Sequence, residues 1–211
     1  MLGRDHQITT AAVALTIASW TPGLDFEPVS MACFVVPATI TALVPDLDSE
    51  NSIASQKTSK FFSVIFKHRG FLHSIFGWLL WTFLCYKIVG WLTGGFGFDN
   101  WYESWSWMFY LGLSFGYLAH LIEDSFSAAG VRWLNPFTPC DEKMYEKYGV
   151  LLRPVHHYEK DEDGHTIPCR HFWGRGYETG GDGEYGIIGF MILLIIIDVI
   201  RLVVIWLVVI W

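Results

Sequence analysis

The sequence predicts an all-α integral membrane protein of about five transmembrane helices, with a cytoplasmic loop cap between the last two. Three observations carry that expectation. Hydrophobic residues make up 52% of the 211-residue chain and charged residues 17%, whereas soluble domains carry about a quarter charged residues. Long apolar runs explain the shortfall, the clearest being YGIIGFMILLIIIDVIRLVVIWLVVIW at 185–211, which can cross about 30 Å of hydrocarbon. Trp and Tyr residues also gather near the ends of the runs at 74–92 and 107–123, as membrane-interface anchors do.

In order, the expected spans are 7–23, 29–45, 74–92, 104–123 and 186–209. The first two are short, and TPGLDFEP (21–28) turns between them. They read as two short spanning helices, with a re-entrant hairpin as the alternative. A cleavable signal peptide is not expected, because Arg4 alone, beside Asp5, precedes the apolar stretch. In the fifth span Asp198 and Arg201 stand three residues apart and can pair on one helix face. Residues 1–124 then form a four-helix membrane region, 125–185 a cap and 186–211 the last span, all within one domain.

The alternation of spans has a consequence for the ionisable residues. Span one starts on one face, span two returns to it, span three leaves, span four returns and span five leaves again. His6 opens span one, and Asp46 and Asp48 close span two. His68 and His73 open span three, His120 and Asp124 close span four, and Glu184 opens span five. All of them fall on the starting face. Twelve of the fourteen Lys and Arg residues lie in segments on that face, and the short loops opposite hold none. Positive-inside bias makes it cytoplasmic.

Other features exclude more than they assign. The net charge is −7, and no basic stripe suggests nucleic-acid binding. The four cysteines (33, 85, 140 and 169) lack CxxC spacing, so a reduced structural role is expected. CRH (169–171) leaves open a metal site of Cys140, Cys169 and His171. HHYEKDEDGH (156–165) reads as a solvated turn.

Four motifs carry the chemistry. HLIED (120–124) places His120 and Asp124 four residues apart on one helix face, with Glu123 flanking as a reserve ligand. They grip a cation or form a metal-free hydrogen-bonded pair. PDLD (45–48) supplies Asp46 and Asp48, and Pro45 favours an extended, ligand-forming turn over continued helix; a solvated loop start is the alternative. HRGFLHS (68–74) brings His68 and His73 around a bend that Gly70 permits, unless both are interfacial side chains. Arg69 suits a bidentate phosphate contact or a membrane-surface cation. TGGDGE (179–184) delivers Glu184.

Imidazoles and carboxylates mixed on one face favour zinc, with manganese or iron as alternatives, over calcium. Eight candidate ligands (His6, Asp46, Asp48, His68, His73, His120, Asp124 and Glu184) exceed the needs of one ion, so one to three ions are expected.

The order N-terminal His, PDLD, HRGFLHS, HLIED, TGGDGE resembles that of the YdjM-like family of membrane-bound, metal-dependent hydrolases, known for a LexA-regulated bacterial inner-membrane member. The similarity covers nearly the whole chain. More distantly, the order is similar to that of the zinc-dependent phospholipase C group. That resemblance implies ligand roles for His6, Asp46, His68 or His73, His120 and Asp124. The chain departs from the group by lacking a clear second HxxxE helix, for which Glu184 can substitute.

The resulting expectation is a multi-pass hydrolase of the bacterial cytoplasmic (inner) membrane, with its metal site on the cytoplasmic side. It would cleave a phosphoester, of a lipid or another phosphodiester, with metal-activated water. Asp48 or Asp46 would act as general base and Arg69 would steady the phosphate. A non-catalytic protein stapled by a structural metal is the second reading, and an ion transporter the third. The sequence does not set an oligomeric state.

Overall fold

The computed structural model describes residues 3–22, 28–48, 71–95, 104–126, 131, 133–134, 157–160, 166–169 and 182–210. Its helices are α1 (Gly3–Trp20), α2 (Pro28–Thr41), α3 (Ile75–Thr93), α4 (Trp105–Ser125) and α5 (Asp182–Ile210). Each expected span falls on one of them. The last begins earlier than expected, which puts Glu184 inside the first turn of α5 rather than ahead of it.

Among the described residues, three stretches are long and apolar enough to cross a membrane: Pro28–Leu47, Ile75–Thr93 and Gly183–Val208. The other two helices bury polar residues against their neighbours, among them Thr9, Thr10 and Ser19 on α1 and Ser106, Ser114 and His120 on α4. That polarity lowers their hydropathy below that of a free-standing span. Within the expected cap, β1 (His157–Lys160) pairs antiparallel with β2 (Thr166–Cys169). The stretch read as a solvated turn therefore begins as a strand. Cys140 and His171 lie outside the described residues.

At the centre stands α4, packed on α2 along one side and on α3 along another. The α2 seam depends on Gly112 and Gly116, spaced GxxxG. A Cβ at Gly112 would collide with the Phe34 carbonyl oxygen, and one at Gly116 with that of Ala38. Lipid tails are as apolar as leucine, so membrane helices associate through such close backbone approach and through polar contacts. Polar contacts dominate the α3 side. The indoles of Trp78 and Trp81 donate to the carbonyls of Ser114 and Leu113 at 3.1 and 2.9 Å. The hydroxyls of Thr82 and Ser114 lie 2.8 Å apart.

Two short 3-10 turns, Pro45–Asp48 after α2 and Phe71–His73 before α3, bring the chain to the end of α4. Ser74 caps α3: its hydroxyl accepts from the Gly77 N–H at 3.2 Å and donates to the Phe71 carbonyl at 2.6 Å. Trp133 closes over this end, accepting from the Ile75 N–H at 2.9 Å and donating from its indole to Ser125 Oγ at 2.9 Å. On the far side of α1, α5 packs through one stripe that includes Glu184, Ile188, Met191, Ile195, Asp198 and Leu202.

Gly116→Ala is expected to cost about 1–3 kcal/mol through overpacking, whereas Gly189→Ala, with nothing within 4 Å of an added Cβ, should be neutral. Thermal unfolding of the detergent-solubilised protein, followed by circular dichroism, checks the pair. Coincident transitions for the two variants would show that the α2–α4 seam is not tightly packed.

Candidate metal centre

Five predicted residues meet at one end of the bundle: His6 from α1, Asp46 from the turn after α2, His73 from the turn before α3, and His120 and Asp124 from α4. His6, His73, His120 and Asp124 are buried, and Asp46 is nearly so. Helix periodicity places His120 above Asp124. The capped turn at Phe71–His73 turns His73 inward, and the Gly-mediated α2–α4 seam carries Asp46 to the same point.

His73 Nε2 and His120 Nε2 stand 3.2 Å apart. Asp46 Oδ1 lies 3.6 Å from the first and 3.7 Å from the second. Asp124 Oδ2 lies 3.8 Å from both. Four ligand atoms bound tetrahedrally at 2.0–2.1 Å from one ion stand about 3.3–3.4 Å apart. The two triangles of this cage that share His73 and His120, one closed by Asp46 and one by Asp124, are each close to ion-sized.

Hydrogen bonding sets which ring nitrogens face the cage. His120 Nδ1 lies 2.7 Å from the Ala42 carbonyl oxygen, which can only accept. The proton is thus on Nδ1, and Nε2 turns a lone pair toward His73 and the carboxylates. His6 follows the same logic: its Nδ1 lies 2.6 Å from Glu123 Oε2, while Thr10 donates to Glu123 Oε1 at 3.0 Å. A carboxylate orienting the remote nitrogen of a histidine is the usual support of a metal ligand. His6 Nε2 makes no hydrogen bond although it is buried, and it lies 3.3 Å from Asp124 Oδ1. Lone pairs and carboxylate oxygens converging on one dry point repel one another unless a cation or proton joins them. The donor set suits a divalent ion that takes mixed nitrogen and oxygen ligands.

Glu123, a reserve ligand by sequence, instead holds His6. Glu184 is fully buried but faces Asp5 rather than joining either cluster around His120. Burial first, and then the Glu184 carboxyl, raises the Asp5 carboxyl above its ordinary value. Asp5 stands outside the sequence motifs of the site, although its place in the first turn beside His6 is a signal. The GxxxG spacing on α4 was a second missed signal. The side chain of Asp48, and His68 and Arg69 entirely, lie outside the described residues.

Comparison with known proteins agrees over most of the chain. Residues 1–205 match the family described as YdjM inner membrane protein. The chain is 33% identical over 108 residues to the inner membrane protein YdjM of Escherichia coli (strain K12) and, equally, to that of Shigella flexneri. Those alignments cover 48% of this chain and 49% of each relative, so the chain spans about half the length of the curated relatives it matches. No solved structure matches it.

Removing the support of His6 should be felt by a bound metal. Glu123→Ala is expected to weaken zinc affinity about 10–100-fold while leaving helical content intact, as measured by competition with a chromophoric chelator. An unchanged affinity would separate His6 from the metal centre.

Proposed function

We propose that this chain, which belongs to the YdjM family of inner membrane proteins, is a membrane-embedded, metal-dependent hydrolase that cleaves a phosphoester at the cytoplasmic face. One observation carries the reading: the two oxygens of Asp124 face different imidazoles. Oδ2 faces His73 and His120, and Oδ1 faces His6. Such a carboxylate can serve two ions. Asp46, His73, His120 and Asp124 Oδ2 would hold the first, and His6 with Asp124 Oδ1 the second. Zinc fits this donor set best, with manganese or iron as alternatives.

A bound divalent ion supplies Lewis acidity, which lowers the pKa of coordinated water and neutralises charge on a phosphoryl oxygen. The chain's own residues do the rest. Glu123 and the Ala42 carbonyl keep His6 and His120 in the ligating tautomer. Buried walls exclude bulk water and strengthen every charge interaction inside. Asp48 as general base and Arg69 as the phosphate's partner follow from their places in PDLD and HRGFLHS. A lipid headgroup is the phosphoester nearest to a site at the ends of apolar helices.

The staple reading has a specific observation in its favour, because structural zinc sites are closed by four protein ligands and the first cage offers four. His6 separates the two readings, since a staple does not need it. For transport, the ionisable groups expected within the bilayer are Asp198, Arg201 and Lys87; the first two are engaged with α1, and Lys87 stands over the rings of Phe83 and Tyr86.

The test is hydrolysis of bis(p-nitrophenyl) phosphate and of phosphatidylglycerol vesicles by the purified, zinc-loaded full chain. Hydrolysis is expected with wild type and its loss with His120→Ala and Asp124→Ala. His6→Ala should keep the metal held by Asp46, His73, His120 and Asp124, lose the one at His6, and with it turnover. Wild type that binds zinc and hydrolyses neither substrate would leave the staple.

A further inference from the structure

The buried carboxylate of Asp198 lies far from the metal centre and has no part in the proposed chemistry. It is 2% exposed, on the most apolar helix of the chain. The hydrogen bonds it accepts among the described residues come from α1: Thr16 Oγ1 donates to Oδ2 at 2.6 Å, and Ser19 Oγ and Trp20 Nε1 donate to Oδ1 at 3.1 and 3.0 Å. Arg201 adds to the join. Its guanidinium donates to the Ser19 carbonyl and lies 4.3 Å from the centre of the Trp20 ring.

A second polar meeting of these two helices is Asp5 with Glu184. Fourteen residues separate Asp5 from Ser19, and fourteen separate Glu184 from Asp198. The helices therefore run parallel, and at 1.5 Å per residue both contacts span about 21 Å. Equal spacing makes them one mechanical unit. Sliding α5 by one residue shifts it about 1.5 Å and turns it about 100°, which breaks both contacts together.

We propose that Asp198 is a positioning residue: its hydrogen bonds to α1 set the register of α5 and thereby present Glu184 to Asp5 beside His6. Arg201 acts in the same sense through Ser19 and Trp20, and apolar contact adds little. Only 11% of the Gly183–Val208 stretch is buried, and its apolar stripe gains no more against α1 than against lipid. A carboxylate in hydrocarbon without donors is costly, so one register is strongly preferred. The consequence for metal binding rests on the metal-centre reading above. The register itself does not.

Ala12 and Met191 lie midway along the facing stripes, one buried and one half-buried, and report on register as a cysteine pair. The full-length chain would carry Ala12→Cys and Met191→Cys with its four native cysteines replaced by serine. A disulfide is expected on mild oxidation in membranes. Asp198→Ala should lower its yield about fivefold, the scale of losing more than one membrane-buried hydrogen bond. Asp198→Asn, which keeps one acceptor oxygen, should restore much of it. Thr16→Val with Ser19→Ala should reproduce the loss without altering α5. Yields that Asp198→Ala and the double variant leave unchanged would overturn the proposal.

Zinc content, measured on the same samples with native Asp198 and with Asp198→Ala, gives the second readout. A fall in both disulfide and retained zinc supports positioning at the site. A lost disulfide with undiminished zinc would overturn the positioning role and leave the metal centre standing. Absence of zinc even with native Asp198 would instead sink the metal reading, and the disulfide would still decide the register.

Discussion

Burying ionisable side chains at the end of a membrane helix bundle requires something to balance them, and the rest of the structure answers to that constraint. His6, His73, His120 and Asp124 are almost wholly withdrawn from solvent. Their ring nitrogens and carboxylate oxygens stand 3.2–3.8 Å from one another, and lone pairs and like charges so close repel in a low-dielectric interior. A shared cation would remove that cost in one step and would account for the convergence of residues from four separate segments. With neither a cation nor a proton between them, the arrangement would favour the helix ends moving apart.

Much of the fold can be understood as a means of holding those ends together. The GxxxG seam lets α2 and α4 approach until backbone meets backbone, which no pair of larger residues would allow. Trp78, Trp81 and Thr82 hold α3 through polar contacts, because apolar contact alone does not discriminate protein from lipid. The Ser74 cap and Trp133 fix the turn that carries His73. At the other extreme of the bundle, Asp198 serves α5 in the same way.

The five helices and the convergence of the site were legible in the sequence because both follow from simple periodicities. Apolar run length marks the spans, and counting their alternation puts His6, Asp46, His73, His120 and Asp124 on one face before any contact is known. The HLIED spacing places His120 and Asp124 on one side of a helix, and it does. What the sequence left hidden depended on three-dimensional partners. Glu123 looks like a ligand beside Asp124, but the approach of α1 turns it into the support of His6. Asp5 gains its meaning only from α5, a helix that begins about 180 residues later. The low hydropathy of α1 and α4 has the same origin, since their polar residues face neighbours that run length does not reveal.

X-ray absorption at the zinc edge, on the purified zinc-loaded full chain, tests the central claim most directly. A first shell of nitrogen and oxygen alone, with the outer-shell scattering of imidazole, is what a centre of His6, Asp46, His73, His120 and Asp124 predicts. That signature should be lost in Asp124→Ala. A shell containing sulfur would move the metal to the cysteines, and a protein that retains no zinc would contradict the account outright.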